Sequence, residues 1–469
     1  MKKIKENNLN FFKKVFDKHY TGKLITVEKK IDIRKEILNF EFLKKKRSLC
    51  LIECYNSPES ILSYISILSF GSVPLLINEN LNEIFFRRYI VNFLPDYIFT
   101  KRKVINKKYI LLKTYNDIFF YKSKSSFKKK IHKDLAILLP TSGSTGSSKM
   151  VRISYKNLYS NTIDICNYLK IKKIDTTLTT MPFSYTYGMS IINTHLIKGA
   201  NIFVYPGSVI QKNFFEILKR FKITTFGGVP YIYNLLIKIG LERLKNMSLK
   251  YITHAGGALD VNSLLKLYKF CKKNNLKFIS MYGASEATSR MSYLPFSYMK
   301  KKIGSVGRGL QKSFILKDLD NKLIIKPFVK GELVYRGDNV CLGYANTWKD
   351  LALGDENRGI LKTGDEGYFD NEGFFYISGR KNRDVKLYGH RVNLDDLEKN
   401  LNMKFSNSYV KYMNKKLYIF RNKKIDEIEL NNFLFKRFNI KKNMIEFIKI
   451  KKIPYTTNKK IDYSKLHVN

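Results

Sequence analysis

Residues 138–150 read LLPTSGSTGSSKM, an apolar run that stops at a proline and gives way to small, bare residues before a lysine. Gly143 and Gly146 can take backbone angles that bring N–H groups close to a ligand, and Thr141, Ser142, Ser144 and Thr145 add hydroxyl donors around the same concavity. Such a nest suits phosphate oxygens, with Lys149 supplying charge. The phosphoryl-transfer P-loop needs G-x-x-x-x-G-K-[ST] leading into a helix. Here Ser148 stands where its second glycine belongs, Met150 where its Ser or Thr belongs, and the following MVRIS is strand-like. A flexible Ser/Gly linker has a similar composition, so the rest of the chain has to decide.

Working outward, short apolar runs alternate with longer helical patterns. SLCLIECYN precedes SPESILSYISILSFG, and VPLLIN precedes NLNEIFFRRYIVNFL. Further strand-like runs (TTLTTMPF, NIFVYPG, ITTFGGVP, YITHAGG, KFISMYG) end in Gly or Pro. This rhythm predicts an α/β sheet whose strand ends open into glycine-rich turns, where such sheets bind ligands. From about residue 303 the alternation and the D-N and N-E-G turns predict hairpins, hence a small antiparallel or barrel-like part. After Gly389 the pattern predicts a helix (393–401), two strands, a helix (425–438) and a final strand, the content of a separate α+β domain. The expected organisation is a large α/β part with several subdomains and a small, separate α+β part.

The 469 residues exceed one compact core. Lys and Arg number 86 against 39 Asp and Glu, a net charge of +47 that favours polyanions. The basic residues are spread along the chain, from MKKIKENN to KIKKIPYTTNKK, which fits a Lys-rich compositional bias. Specific nucleic-acid binding would cluster them with interleaved aromatics, and it is not expected. Cys50, Cys54, Cys166, Cys271 and Cys341 contain no C-x-x-C pair, so neither a disulfide framework nor a zinc site is indicated. The most apolar stretch, 61–77, is broken by Ser, Tyr, Gly and Pro and is too short to span a membrane. With no signal-peptide core at the N-terminus, a cytoplasmic location is expected.

The loop 138–150 resembles the phosphate-loop signature of the adenylate-forming superfamily, which includes acyl-CoA synthetases, luciferases and peptide-synthetase adenylation domains. Further matches follow in the superfamily's order: GGVP (227–230), HAGGALD (254–260), MYGASEAT (281–288), GSVGRGL (304–310), GELVYRGDNVCLGY (331–344), the long run 361–392, and IPYTTNKKID (453–462). The resemblance implies an ATP-dependent acid–thiol ligase. A carboxylic acid attacks the α-phosphate of ATP to give acyl-AMP and pyrophosphate, and a thiol of CoA or of a phosphopantetheine arm then takes the acyl group. Mg²⁺ and lysine suit the charge that this chemistry develops. A ligase with a non-thiol acceptor and a non-catalytic or polyanion-binding protein are the alternatives.

Residue by residue, the resemblance implies that Thr141 to Lys149 cradle the β- and γ-phosphates. Gly256, Gly257 and Ala258 would line the adenine pocket. In the YGASE segment, Tyr282 would stack on adenine and Ser285 would stand near the α-phosphate, with Gly283 and Ala284 also binding the nucleotide, and Glu286 would hold Mg²⁺, which favours one carboxylate plus phosphate oxygens. Asp365, with Arg380, would bind the ribose. Lys460 matches the catalytic lysine of the C-terminal P-x-T-x-x-G-K signature, although Lys459 replaces its glycine. Asn382 occupies the hinge, which implies an N-terminal part over 1–380 and a mobile C-terminal part over 381–469, and Gly389 marks the point of thiol entry. Ser148 and Met150 depart from the phosphate-loop pattern in ways that affect stiffness more than donors.

The acyl pocket is expected to begin in MPFSYTYGMSIINTHL (181–196), with Tyr185 as a gate and with Gly188 and Gly228 in the substrate region. Tyr187, Tyr231 and Tyr233 read equally well as core aromatics. Amino-acid-activating relatives carry an Asp where this chain has Thr186. Burying an ammonium without a carboxylate is costly, so an acid lacking an α-amino group is expected. A basic surface suits CoA or an acidic carrier protein as acceptor.

Overall fold

A computed structural model describes residues 12–104, 106–125, 127–140, 149–310, 313–318, 320–387, 390–405, 407–414, 416–422, 426–438, 440–456 and 460–467. Two large sheets dominate. The first has eight strands, in the order Gly343–Ala345, Met150–Ser154, Leu135–Pro140, Val73–Asn78, Leu49–Cys54, Tyr97–Thr100, Ile118–Ser123 and Tyr109–Tyr115. Its centre is parallel, with Leu51 opposite Leu75 and Leu75 opposite Leu138. These central strands are buried on both faces, which is why they read as largely apolar runs, with the buried Glu53 as an exception.

The apolar stretch 61–77 divides into the helix Pro58–Ser69 and the strand Val73–Asn78, turned at Gly71 with φ +77°. Ser57 caps the helix by accepting from the Ser60 N–H, and Pro58 sits in the first turn, where its missing N–H costs nothing. All twelve residues of this helix are buried, so its apolarity on every side reflects enclosure within the protein. No helix among the described residues is long and apolar enough to cross a membrane.

The second sheet has nine strands, and six are parallel neighbours: Lys277–Tyr282, Tyr251–His254, Thr225–Gly228, Thr176–Leu178, Asn201–Phe203 and Lys23–Ile25. The first five carry the predicted ends in Gly or Pro. MVRIS forms the strand Met150–Ser154, as expected. A helix, Tyr155–Leu169, follows behind a reciprocal cap: the Ser154 hydroxyl accepts from the Asn157 N–H at 3.1 Å and the Asn157 amide oxygen accepts from the Ser154 N–H at 2.8 Å.

The hairpins beyond residue 303 form five antiparallel strands, in the order Leu323–Ile324, Phe314–Lys317, Gly331–Arg336, Ile360–Phe369 and Phe375–Arg380. This corrects the barrel-like expectation. The outermost strands do not pair with each other among the described residues, and Leu323–Ile324 is only two residues long, so the sheet stays open.

The C-terminal elements comprise the hairpin Asp384–Leu387 with His390–Asn393, the helices Leu394–Lys404 and Glu427–Phe438, and a three-stranded sheet of Ser408–Met413, Lys416–Arg421 and Ile445–Lys449. Leu397, Leu401, Val410, Ile419, Leu430 and Leu434 build a hydrophobic cluster of their own there. The mixed α/β fold, with a large N-terminal and a small C-terminal part, is therefore the one expected.

Candidate functional site

Three groups of predicted residues come together at the strand ends. In the first, Asp365 lies on the strand Ile360–Phe369 directly opposite Arg380 on Phe375–Arg380, which sets their side chains side by side. The Arg380 Nε stands 3.0 Å from Asp365 Oδ1, and the Tyr282 hydroxyl donates to Oδ2. Asp365 is only 5% exposed. Burial pushes its carboxyl up, against the pull of Arg380, and burial beside Asp365 pushes the Tyr282 phenol well up. Tyr282 ends the strand Lys277–Tyr282, so a strand register and a strand end, far apart in sequence, meet at one carboxylate.

In the second group Glu286 sits in a short turn, Ser285–Ala287, and its Oε1 accepts from the Tyr344 hydroxyl at 3.0 Å. The Lys149 ammonium lies 3.6 Å from the centre of the Tyr344 ring. Tyr344 thus holds the end of the predicted phosphate loop beside the predicted Mg²⁺ ligand. Burial, then the neighbouring Glu286, push its phenol up. Sequence reasoning gave Tyr344 no role, although it closes the quoted run 331–344. Behind it the fully buried Arg152 fastens the segment 342–356: its Nε donates to Tyr344 O at 2.9 Å, its Nη1 to Leu353 O at 2.5 Å, and it pairs with Glu356.

The third group joins the two parts of the chain. The Lys460 ammonium stands 5.6 Å from the centre of the Tyr185 ring, and Tyr455 meets Tyr231 edge-on at 5.0 Å. Tyr455 pairs with Ile461 across a bridge, and Lys460 O accepts from the Thr456 N–H at 2.7 Å, so the backbone of the lysine is tied to Thr456. Gly256, at φ +87°, passes so near the Tyr185 hydroxyl that a Cβ would stand 2.8 Å from it. The turn 256–258 therefore runs at the same mouth, with Gly257 and Ala258 exposed.

The tyrosines divide. Tyr187 and Tyr233 are core residues, both donating to Thr253 O, at 2.7 and 2.6 Å. The Gly228 N–H donates to the Tyr187 oxygen at 3.2 Å, which puts Gly228 in the wall behind Tyr185. Gly188 does not face a pocket. A Cβ there would meet Pro182 O at 2.3 Å, so this glycine lets the helix Thr186–Ile197 approach the preceding backbone. Gly283 and Ala284 lead from Tyr282 into the turn of Glu286, and Ser285 is buried there. Thr141 to Gly146, Ser148, Gly389 and Lys459 lie outside the described residues.

The turn Lys381–Arg383, which contains Asn382, is tied on both sides. Lys381 pairs with Glu332 at 3.0 Å, and Arg383 pairs with Asp395 at 2.8 Å and with Glu398 at 2.7 Å. The Tyr463 hydroxyl donates to the other Glu398 oxygen at 2.5 Å. Among the described residues no group of three or more His, Cys, Asp or Glu is placed to hold a metal ion. A metal held here would rest on the Glu286 carboxylate and on substrate oxygens, a donor set that fits Mg²⁺.

Known proteins resemble this chain in sequence and in fold. The family described as AMP-binding enzyme matches residues 43–345. The oxalate–CoA ligase of Saccharomyces cerevisiae is 27% identical over 266 residues, 56% of this chain and 48% of that protein. A long-chain-fatty-acid–CoA ligase of Bacillus subtilis is 30% identical over 274 residues, 57% and 48% respectively. The chain spans about half the length of the curated relatives it matches. Among solved structures, o-succinylbenzoate CoA synthetase from Bacillus subtilis, in complex with its acyl-adenylate intermediate, aligns with TM-score 0.77 and 20% identity over 98% of both chains. ATP-bound MatB from Rhodopseudomonas palustris aligns with TM-score 0.76 and 18% identity, again over 98% of both.

Proposed function

The chain belongs to the AMP-binding enzyme family, and on that footing we propose that it is an acid–thiol ligase that activates a carboxylic acid with Mg²⁺-ATP. The acid becomes acyl-AMP with release of pyrophosphate, and the acyl group then passes to the thiol of CoA or of a phosphopantetheine carrier. The observation that carries this reading is the Lys460 ammonium beside Tyr185, at the mouth that Gly256 borders. A cation there neutralises the charge that develops between an acid's carboxylate and the α-phosphate, and a fixed ammonium does so without reorganising. Asp365 accepts hydrogen bonds from the ribose hydroxyls and Arg380 orients it, while Tyr282 stays with its oxygen on that carboxylate. Thr141 to Lys149 hold the polyphosphate, and Glu286 supplies an oxygen to Mg²⁺.

The relatives named for CoA ligation of oxalate, 2-succinylbenzoate and long-chain fatty acids support the ligase reading and span several acid classes. Thr186, where a carboxylate would be needed to hold an ammonium, supports an acid without an α-amino group. The net charge of +47 suits the polyanionic CoA or an acidic carrier protein. For the second half-reaction, the part from Lys381 onward rotates at Asn382 and brings Gly389 to the thiol's path. The five cysteines, all free and buried, suit a reducing cytoplasm.

The test is product analysis. Purified protein, Mg²⁺-ATP and a panel of aryl, short-chain, long-chain and amino acids should yield acid-dependent AMP and pyrophosphate. ADP and phosphate, or no acid-dependent turnover, would overturn the reading.

A further inference from the structure

Between the helix Thr186–Ile197 and the strands Thr225–Gly228 and Tyr251–His254 lies a narrow cavity of about 20 Å³. A space of that size admits a small polar group and no alkyl chain. Its wall mixes apolar side chains, among them Ile165, Ile191, Phe226 and Met281, with Ser190, Thr194, Thr253, His195 and Arg290. The His195 Nδ1 is 2.8 Å from Ile191 O, and its buried Nε2 has no partner.

Arg290 is the anomaly. It is 4% exposed, yet all its described side-chain contacts are neutral. Its guanidinium donates to Ser289 Oγ at 2.7 Å, to Ser190 Oγ at 3.3 Å and to Met281 Sδ at 3.3 Å, and it stacks 4.0 Å from the Tyr187 ring centre. Elsewhere in this chain Arg102, Arg152 and Arg383 meet Glu53, Glu356 and Glu398. A buried cation without an anion is costly, and a bidentate fork is the shape that a carboxylate completes.

The residue is also held in place. Its carbonyl accepts from the Asn161 and Asn339 amides at 2.8 and 2.9 Å. The chain enters it through Thr288 at φ +60°, a conformation that a β-branched residue keeps only when its surroundings enforce it. The Thr288 hydroxyl is fastened to Asn339 O at 2.6 Å. The turn that presents Glu286 thus presents Arg290 as well.

Two cations therefore bracket a tyrosine pair. Lys460 lies at the Tyr185 ring, Tyr185 meets Tyr187 at 6.5 Å, and Arg290 lies on Tyr187. We propose that Arg290 is a specificity-determining residue that binds a second carboxylate at the far end of the acid, so that the substrate is a short dicarboxylic acid whose near carboxylate is activated at Lys460. The proposal rests on the acid-activation reading above and names its substrate class.

The experiment compares short α,ω-dicarboxylic acids with their monomethyl esters and with monocarboxylic acids of matched length, following pyrophosphate release with Mg²⁺-ATP. The wild-type protein should favour the diacid over its ester by at least about 100-fold in kcat/KM. Arg290→Gln should bring that ratio to within a few-fold of one, with the Kd for ATP unchanged. Equal or better turnover of neutral-tailed acids by the wild type, a comparison that needs no variant, overturns the proposal alone. So does an Arg290→Gln variant that keeps the wild-type ratio. Absence of pyrophosphate with every acid overturns the acid-activation reading itself and the proposal with it.

Discussion

The ammonium of Lys460 stands 5.6 Å from the ring centre of Tyr185, at the start of the helix Thr186–Ile197. This contact joins the small C-terminal part to the mouth of the candidate pocket. Lys460→Ala should lower acid-dependent ATP–pyrophosphate exchange by at least about 100-fold, with Mg²⁺-ATP affinity little changed. Loss in Lys459→Ala with retention in Lys460→Ala would move the role to the neighbouring lysine.

Asp365 is buried between Arg380 and Tyr282. Its replacement by Ala should weaken ATP binding by about 10- to 100-fold, the loss expected when a charged acceptor leaves ribose hydroxyls unpaired. Calorimetric titration measures this. An unchanged affinity would remove Asp365 from the ribose role.

Glu286→Gln should shift the Mg²⁺ dependence of pyrophosphate release to higher concentration, because a neutral amide is a poorer ligand for a hard cation. Tyr344→Phe, which removes only the hydrogen bond to Glu286, should shift it less. A Mg²⁺ titration at saturating ATP separates the two. Identical curves for Glu286→Gln and wild type would dismiss the carboxylate as a ligand.

His195 and His254 are buried and held well below the ordinary range, at about 4 and about 3, in each case chiefly by desolvation. For a depressed histidine the stability contribution is complete above the unfolded value, about 6.5, and is lost as pH falls through the folded value. The urea midpoint should therefore drop between pH 6.5 and 4, and His195→Gln should flatten that part of the curve. An equally steep fall in the variant would place the acid sensitivity elsewhere.

Glu398 shows the opposite sign. Desolvation raises its carboxyl to about 6, against Arg383, Tyr463 and the Val410 N–H, which all favour the charged form. Its stability contribution is complete below the ordinary carboxylate value and is lost as pH rises through about 6. Glu398→Gln should remove a pH-dependent loss of about 2 kcal/mol over that interval, read as the difference between the two proteins' unfolding curves.

Much of the fold was legible because many of its strands are apolar runs that stop at glycine or proline, as in NIFVYPG and KFISMYG. Their parallel pairing follows from the helices between them. The open edge of the five-stranded sheet was not legible, since alternation specifies which face a residue takes and not whether the outer strands meet.

The sequence by itself determined the order of the motifs, and their resemblance to the adenylate-forming superfamily implied the candidate roles of Lys149, Glu286, Asp365, Arg380 and Lys460, none of which residue type or spacing alone assigns. Only the tertiary structure decided which of them touch. Tyr344 earned its place between Lys149 and Glu286 through a sheet edge that pairs Tyr344 with Val151. Gly188 turned out to face backbone, and Arg290 emerged as a buried cation among neutral neighbours. The physical reason is that charge and burial have to be balanced in space, and a residue's partners in space are set by packing between elements that the chain order leaves far apart.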